Sequence, residues 1–274
     1  MKLAFSSNAF RRYSLSDAIG ILSLIGYSGI EIMADVPHAY PLYMTNKELS
    51  RITSSLKRHK MAVSNINAFM LHAEGDTYHP SWIEKDPAKR SKRIKHTLNC
   101  IDLAERLGAT TISTEPGGPL EDMDFDEGLR LFKQGLLEVE DAARKGGVKI
   151  LIEPEPGLLI ENSRQFLSLY NELDRNVFGL NFDIGHFFCV NEDCPFPINK
   201  LKDMTHHFHL EDIARSREHY HLMPGDGAID IQGVLRTIKD TGYKGFVTVE
   251  LYTYEQDPID AAYKALNYIN ALAI

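Results

Sequence analysis

The chain has 274 residues, 43% of them hydrophobic and 25% charged, with a formal charge of −8. That composition supplies a sizeable globular core, and its acidity works against the phosphate contacts that dominate nucleic-acid affinity. Three widely spaced cysteines, Cys100, Cys189 and Cys194, give neither a disulfide framework nor a CxxC zinc site, and no apolar run approaches the ~20 residues that cross a bilayer.

The N-terminus, Met1-Lys2-Leu3-Ala4-Phe5 running into Arg11-Arg12, lacks the apolar core of a signal peptide, so a cytoplasmic protein is expected. Along the chain, short apolar runs alternate with amphipathic segments. Lys2–Ser6 reads as a first strand, followed by Ser6-Ser7-Asn8-Ala9-Phe10, a turn with no glycine. Gly29–Met33 is the second strand. The loop Val36–Met44 after it carries Tyr40 and Tyr43, which could line a pocket or make a contact in a homo-oligomer. A third strand, Ala62–Asn67, leads into Leu71–Asp86, longer than the usual βα loop and holding His72, His79 and the single Trp82. This segment reads either as a lid or as a structural loop whose tryptophan packs on the rim. Ile94, Leu98, Ile101, Ala104 and Leu107 form a helical stripe with Gly108 as its cap.

Thr110–Thr114 is the fourth strand, and Leu129, Phe132, Leu136, Val139 and Ala143 predict a helix closed by Gly146-Gly147. Strands follow at Val148–Glu153, Phe178–Asp183, Thr205–Leu210 and Phe246–Glu250, and Pro258 opens the last helix. Eight strands, each followed by a helix or a long connection, close most economically into a (β/α)8 TIM barrel, one α/β domain over residues 1–274. The doubly wound alternative would carry a glycine-rich turn after its first strand, and this chain does not.

Polar residues fall at the C-terminal ends of four consecutive strands: Glu153, Asp183, His209 and Glu250. Those ends form the face on which such barrels build active sites. Side chains alternate along a strand, so Leu151, Asn181, His207 and Thr248 point inward beneath them, while Ile150 and Ile152 face the helices. Three carboxylates and an imidazole in a closed space repel and desolvate one another unless a cation balances them. The mixed oxygen and nitrogen set suits Mn, Zn, Co or Mg.

Ile152-Glu153-Pro154, Asn181-Phe182-Asp183-Ile184-Gly185-His186, His207-Phe208-His209-Leu210-Glu211-Asp212, Pro224-Gly225-Asp226-Gly227-Ala228-Ile229-Asp230 and Val249-Glu250-Leu251 resemble the xylose-isomerase-like TIM-barrel family over the whole chain. That family holds sugar isomerases and epimerases, inosose dehydratases and zinc endonucleases of abasic DNA. The resemblance implies one divalent metal, commonly Mn, on Glu153, Asp183, His209 and Glu250, and substrate contacts from His186 and Arg217. It implies that Glu153 and Glu250 are the acid/base pair acting on opposite faces of a sugar or polyol carbonyl compound. A metal-stabilised cis-enediolate then leads to an epimer or an isomer, and loss of a β-hydroxyl from it gives dehydration of an inosose-like or dehydroshikimate-like ring.

His219 and His221 match positions that bind extra zinc in the endonucleases. Asn67 and Glu115 stand where those enzymes use histidines, which counts against DNA cleavage, as does the acidic charge. Glu115, Asn67, His221 and Glu155 join His186 and Arg217 as candidate substrate contacts, although Glu115 could merely finish a turn and Glu155 could be a polar wall. Arg215 and Arg217 could hold a phosphate or carboxylate, and an unphosphorylated polyol is equally open. By parity His206 points outward and packs. A non-catalytic polyol binder is the third reading, disfavoured because both glutamates are intact.

Overall fold

The structure is a computed structural model and describes residues 1–272. Eight parallel strands form a closed barrel in chain order: β1 (Lys2–Ser6), β2 (Gly29–Met33), β3 (Ala62–Asn67), β4 (Thr111–Thr114), β5 (Lys149–Ile152), β6 (Phe178–Asp183), β7 (Thr205–Leu210) and β8 (Phe246–Val249). β8 pairs back onto β1, with Leu3 opposite Val247 and Phe5 opposite Val249, so no sheet edge is left open.

The helices are α1 (Leu15–Ile25), α2 (Asn46–His59), α3 (Pro87–Leu107), α4 (Phe125–Gly146), α5 (Ser163–Tyr170), α6 (Ile184–Cys189), α7 (Phe196–Leu201), α8 (Ile231–Asp240) and α9 (Pro258–Ala271). Local chemistry sets their ends. Thr45 and Glu48 form a reciprocal capping box at the start of α2, and Asp86 caps α3 with Pro87 in the first turn. Gly108 and Gly147 end α3 and α4 with φ of 73° and 62°, a left-handed conformation that glycine adopts without a Cβ clash. Among the described residues, no helix is long and apolar enough to cross a membrane.

The apolar core lies between strands and helices. Ile30, Ile32, Ile112, Ile150, Ile152, Phe178 and Phe182 are fully buried there with Leu22, Phe132, Leu136 and Leu235 from the helices. Each such side chain contributes roughly 1.5–3 kcal/mol relative to exposure. The barrel interior is different. Glu31, Asn65, Ser113, Asn181, His207 and Thr248 are buried inside it and are partly bonded to one another, with one polar atom each on Glu31, Asn181 and His207 lacking a hydrogen-bond partner. Asn65 donates to Glu31 and to Ser113 at 2.9 Å each, and Ser64 meets Thr248 at 3.1 Å.

β5 and β8 stop one residue before Glu153 and Glu250. The ladder nevertheless orients both residues, because their N–H groups donate to the carbonyls of Thr114 and Leu210 at 3.2 Å each.

Candidate active site

β6 and β7 place Asp183 and His209 in register as direct neighbours. With Glu153 and Glu250 they form a buried set whose ligand atoms all lie within 4.8 Å of one another. A divalent ion about 2.0–2.2 Å from each donor fits such a set after slight contraction. Asp183 Oδ2 is buried and accepts no hydrogen bond from the protein. Orphaned carboxylate oxygens of this kind are rare and suit a cation ligand. The residues therefore fit a divalent metal.

Each glutamate is aimed by an asparagine. Asn181 Nδ2 donates to Glu153 Oε2 at 2.7 Å, and Asn8 Nδ2 donates to Glu250 Oε1 at 2.8 Å. Their other oxygens converge on His209 Nδ1, at 3.0 Å from Glu153 Oε1 and 3.4 Å from Glu250 Oε2. The far side of that ring, Nε2, donates to Glu31 Oε2 at 2.7 Å. This bond orients the ring so that Nδ1 faces the site.

Burial pushes the Glu250 carboxyl well above the usual range; His209 pulls it back, while Glu153, Glu31 and Asp183 push it further up. Glu153 is raised by burial too. His209 is held well above the ordinary imidazole range, because Glu250, Glu31 and Glu153 outweigh the burial that works against its charge.

Glu153 and Glu250 lie at the floor of a cavity of about 400 Å³, walled by Asn67, Phe69, His72, Tyr78, Glu155, His186, His219, His221 and Tyr252, with Arg11 and Glu255 also lining it. His186 Nδ1–H donates to the Pro154 carbonyl at 3.0 Å, and His221 Nδ1–H donates to the Glu250 carbonyl at 2.9 Å. Their Nε2 atoms meet His219 Nε2 at 3.0 and 3.3 Å. Burial lowers all three imidazoles, His221 to about 4, so they are neutral near pH 7. The trio presents nitrogen lone pairs that can accept hydroxyl protons, and it is compact enough to hold a cation itself.

Asn67, Glu155, His186 and His221 thus line the cavity with Glu153 and Glu250. Two expected substrate contacts do not. Arg217 is bound in two places to Asp193 (2.7 and 2.9 Å), donates to the Phe188 carbonyl and lies 3.9 Å over the Phe188 ring. Its backbone has φ of 61°, so the turn points it away from the position expected of it. Glu115 is fully buried behind the wall, where it accepts the Trp82 N–H at 3.2 Å and lies 3.5 Å from Arg93 Nε.

In the Leu71–Asp86 segment the tryptophan packs as the structural reading expects, while His72, Thr77 and Tyr78 line the cavity. Trp82 is fully buried, donates from Nε1 to Thr114 Oγ1 at 2.9 Å and meets Phe132 edge-on. Arg93 donates to the Pro80, Ala68 and Phe69 carbonyls, and Asp35 accepts the N–H groups of His72 and Ala73. The segment is a braced wall. Tyr40 is buried with its hydroxyl on Glu74, Tyr43 is 64% exposed, and neither lines the cavity. His206 faces outward as parity requires but stays exposed, its ring edge lying over Gly179.

The pattern missed Asn8, Asn181 as a clamp, Glu31 and Tyr78. Asn181 carried a usable signal, since it sits two residues before Asp183 on the same inward face. Glu31 had a weaker one, a lone acid inside the apolar run Gly29–Met33.

Comparison with known proteins places this geometry. A fructoselysine 3-epimerase from Shigella flexneri is 26% identical over 99% of this chain and 98% of its own. An inosose dehydratase from Clostridium beijerinckii is 28% identical over 93% of this chain and 89% of its own. Inosose dehydratases of other bacteria are spanned over 54–67% of their length. Among solved structures, the IolI protein with a bound zinc atom superposes with a TM-score of 0.81 at 21% identity, covering 99% of this chain and 98% of the other. The two sequence relatives are an epimerase and a dehydratase, and a divalent metal is common ground between the zinc-bound neighbour and the donor set found here. The profile of the xylose isomerase-like TIM barrel matches residues 20–272, and the chain belongs to that family.

Proposed function

We propose that this protein is a divalent-metal-dependent epimerase or isomerase of a small sugar or polyol carbonyl compound, with Glu153 and Glu250 as its acid/base pair. The supporting observation is the pair itself. Two buried carboxylates, each clamped by its own asparagine, line one cavity and converge on His209 Nδ1. The metal is Mn by family likeness, with Zn, Co or Mg also compatible with the donors.

When bound by Glu153, Asp183, His209 and Glu250, the ion supplies Lewis acidity toward a carbonyl and its neighbouring hydroxyl. The protein's own groups do the rest. One glutamate takes the proton from the carbon beside the carbonyl, and the other returns a proton from the opposite face. Asn8 and Asn181 keep each carboxylate pointed at that carbon. His186, His219 and His221, neutral and lone-pair-rich, accept the hydroxyl protons that orient the substrate. Return of the proton at the same carbon gives the epimer, and return at the neighbouring carbon gives the isomer.

A second reading, dehydration of an inosose-like ring, draws on the nearly full-length likeness to the Clostridium beijerinckii enzyme. One experiment separates the two. Metal-loaded protein is incubated with ketoses and inososes in heavy water, and the products are followed by mass spectrometry and NMR. Deuterium at the carbon beside the carbonyl without loss of water supports epimerisation or isomerisation, whereas loss of water supports the lyase. Wild-type turnover by both Glu153→Gln and Glu250→Gln, with metal content unchanged, would rule out the two-glutamate mechanism.

A further inference from the structure

Resting on that reading, we propose that the cavity selects a substrate without phosphate or carboxylate, whose hydroxyl or ammonium groups beyond the reacting carbons donate hydrogen bonds to Glu155. Three observations carry this. The first is charge. The cavity is lined by Glu153, Glu155, Glu250 and Glu255, and among the described residues its only lysine or arginine is Arg11, whose guanidinium lies 3.8 Å from Glu255. A divalent cation held by Glu153, Asp183 and Glu250 is already matched by their carboxylates, so the lining offers no spare positive charge. An anionic substituent would enter a low-dielectric space with no cation left to balance it.

The second is where the candidate anion holders have gone. Arg217 is committed to Asp193 and Phe188, and Arg215 is exposed outside the cavity. Backbone N–H groups gathered in a glycine-rich turn are the other common phosphate cradle. Such a turn follows β7, Pro224-Gly225-Asp226-Gly227, but the chain's own carboxylate fills it. Asp212 accepts the N–H groups of Gly225, Gly227 and Ile229 at 3.0 Å each and of Ile213 at 2.9 Å.

The third is Glu155. It is 3% exposed and lines the cavity, yet among the described residues Tyr78, at 3.0 Å, is the only group that donates a hydrogen bond to it. His219 Nδ1 stands off at 3.6 Å. A carboxyl group has two oxygens with several acceptor positions, so most of those on Glu155 are left for a ligand. Hydroxyl and ammonium groups share the needed chemistry, and phosphate lacks it.

The test uses full-length, Mn-loaded protein and a matched panel: unphosphorylated ketoses and inososes, 1-amino-1-deoxyfructose, and the phosphate esters of the same sugars. Calorimetry reads binding, and deuterium uptake from heavy water reads proton exchange. Unphosphorylated members should bind at least about tenfold more tightly than their esters. Glu155→Gln should weaken them by about tenfold with melting temperature and metal affinity unchanged, since the amide replaces one acceptor oxygen with a donor. Amino and neutral sugars are told apart by which loses more in Glu155→Gln. Esters that bind as tightly as the free sugars overturn the inference, as does a folded Glu155→Gln protein with unchanged affinities. If that variant does not fold, the ester comparison on wild-type protein decides. Fastest exchange with an ester leaves the proposed function standing and removes only this inference. A panel in which nothing exchanges removes both.

Discussion

Arg93 is the residue whose loss should be felt most outside the active site. It is fully buried on α3, where Nε donates to the Pro80 carbonyl at 2.9 Å and Nη1 donates to those of Ala68 (3.2 Å) and Phe69. Among the described residues its only acid partner is Glu115, itself fully buried. Arg93→Met keeps the apolar stem but strips three carbonyls of their donor and leaves Glu115 without a cation. Removing one partner of a buried pair costs about 3–5 kcal/mol, a large part of the ~5–15 kcal/mol that holds a typical domain folded. The cost should depend on pH. Burial raises the Glu115 carboxyl from its ordinary 4.5 to about 7, against the opposing pull of Arg93. A carboxyl raised on folding takes up protons in the folded state, so its penalty is absent near pH 4.5 and grows as pH rises through 7. Arg93→Met should therefore be markedly more harmful at pH 8 than at pH 5, where a protonated Glu115 no longer needs a counter-charge. Glu115→Gln keeps an acceptor for the Trp82 N–H and should cost no more than about 1 kcal/mol at pH 5, improving relative to wild type toward pH 8. Urea unfolding followed by Trp82, the single tryptophan, reads both variants at the place they perturb. Equal costs at the two pH values, or a pH 8 midpoint for Arg93→Met matching wild type, would refute the reasoning.

Glu31→Gln, which weakens the acceptor behind His209 Nε2, should lower divalent-metal affinity by about 10–100-fold while the barrel still folds, as measured by competition with a chromogenic chelator. Removing metal by chelation should lower the melting temperature of wild type, and Asp183→Asn should abolish most of that difference, because the ion binds only the folded arrangement. Burial, with Arg93 nearby, lowers the His96 imidazole to about 3, so it stays neutral in the folded state while the unfolded chain takes up a proton below pH ~6.5. Stability tied to His96 is therefore lost as pH falls, by ~2 kcal/mol at pH 5, and His96→Asn should flatten that part of a pH-dependent denaturation profile.

The barrel was legible because each strand is a short apolar run bounded by turn residues, and because helix caps such as Gly108 and Pro258 stand where their geometry requires. Glu153, Asp183, His209 and Glu250 were legible for a related reason. A polar residue closing an apolar strand has its direction fixed by the alternation of that strand. Loop residues have no such constraint. Arg217 turns away through a left-handed residue, and Glu115 folds back under the wall, and neither outcome follows from a period in the sequence. Arg93 was hidden by company, since it sits in Lys89-Arg90-Ser91-Lys92-Arg93, where a solvated helix face is the natural reading. Glu31 breaks the apolar pattern only once, which is too little to mark a partner for a histidine 178 positions away.

The bond from Asn8 to Glu250 joins residues 242 positions apart. It links the turn that leaves β1 with the residue that follows β8, the two strands whose pairing closes the barrel. The last member of the proposed metal set therefore becomes both available and correctly aimed only when nearly the whole chain has emerged and the ring has shut. Entropy does not forbid so long a closure, because the cost of bringing chain ends together grows only logarithmically with length. It does set an order of events. A nascent or circularly opened chain lacks a finished cage, so ion capture belongs after closure, and metal uptake by a refolding sample becomes a clock for the final step of assembly.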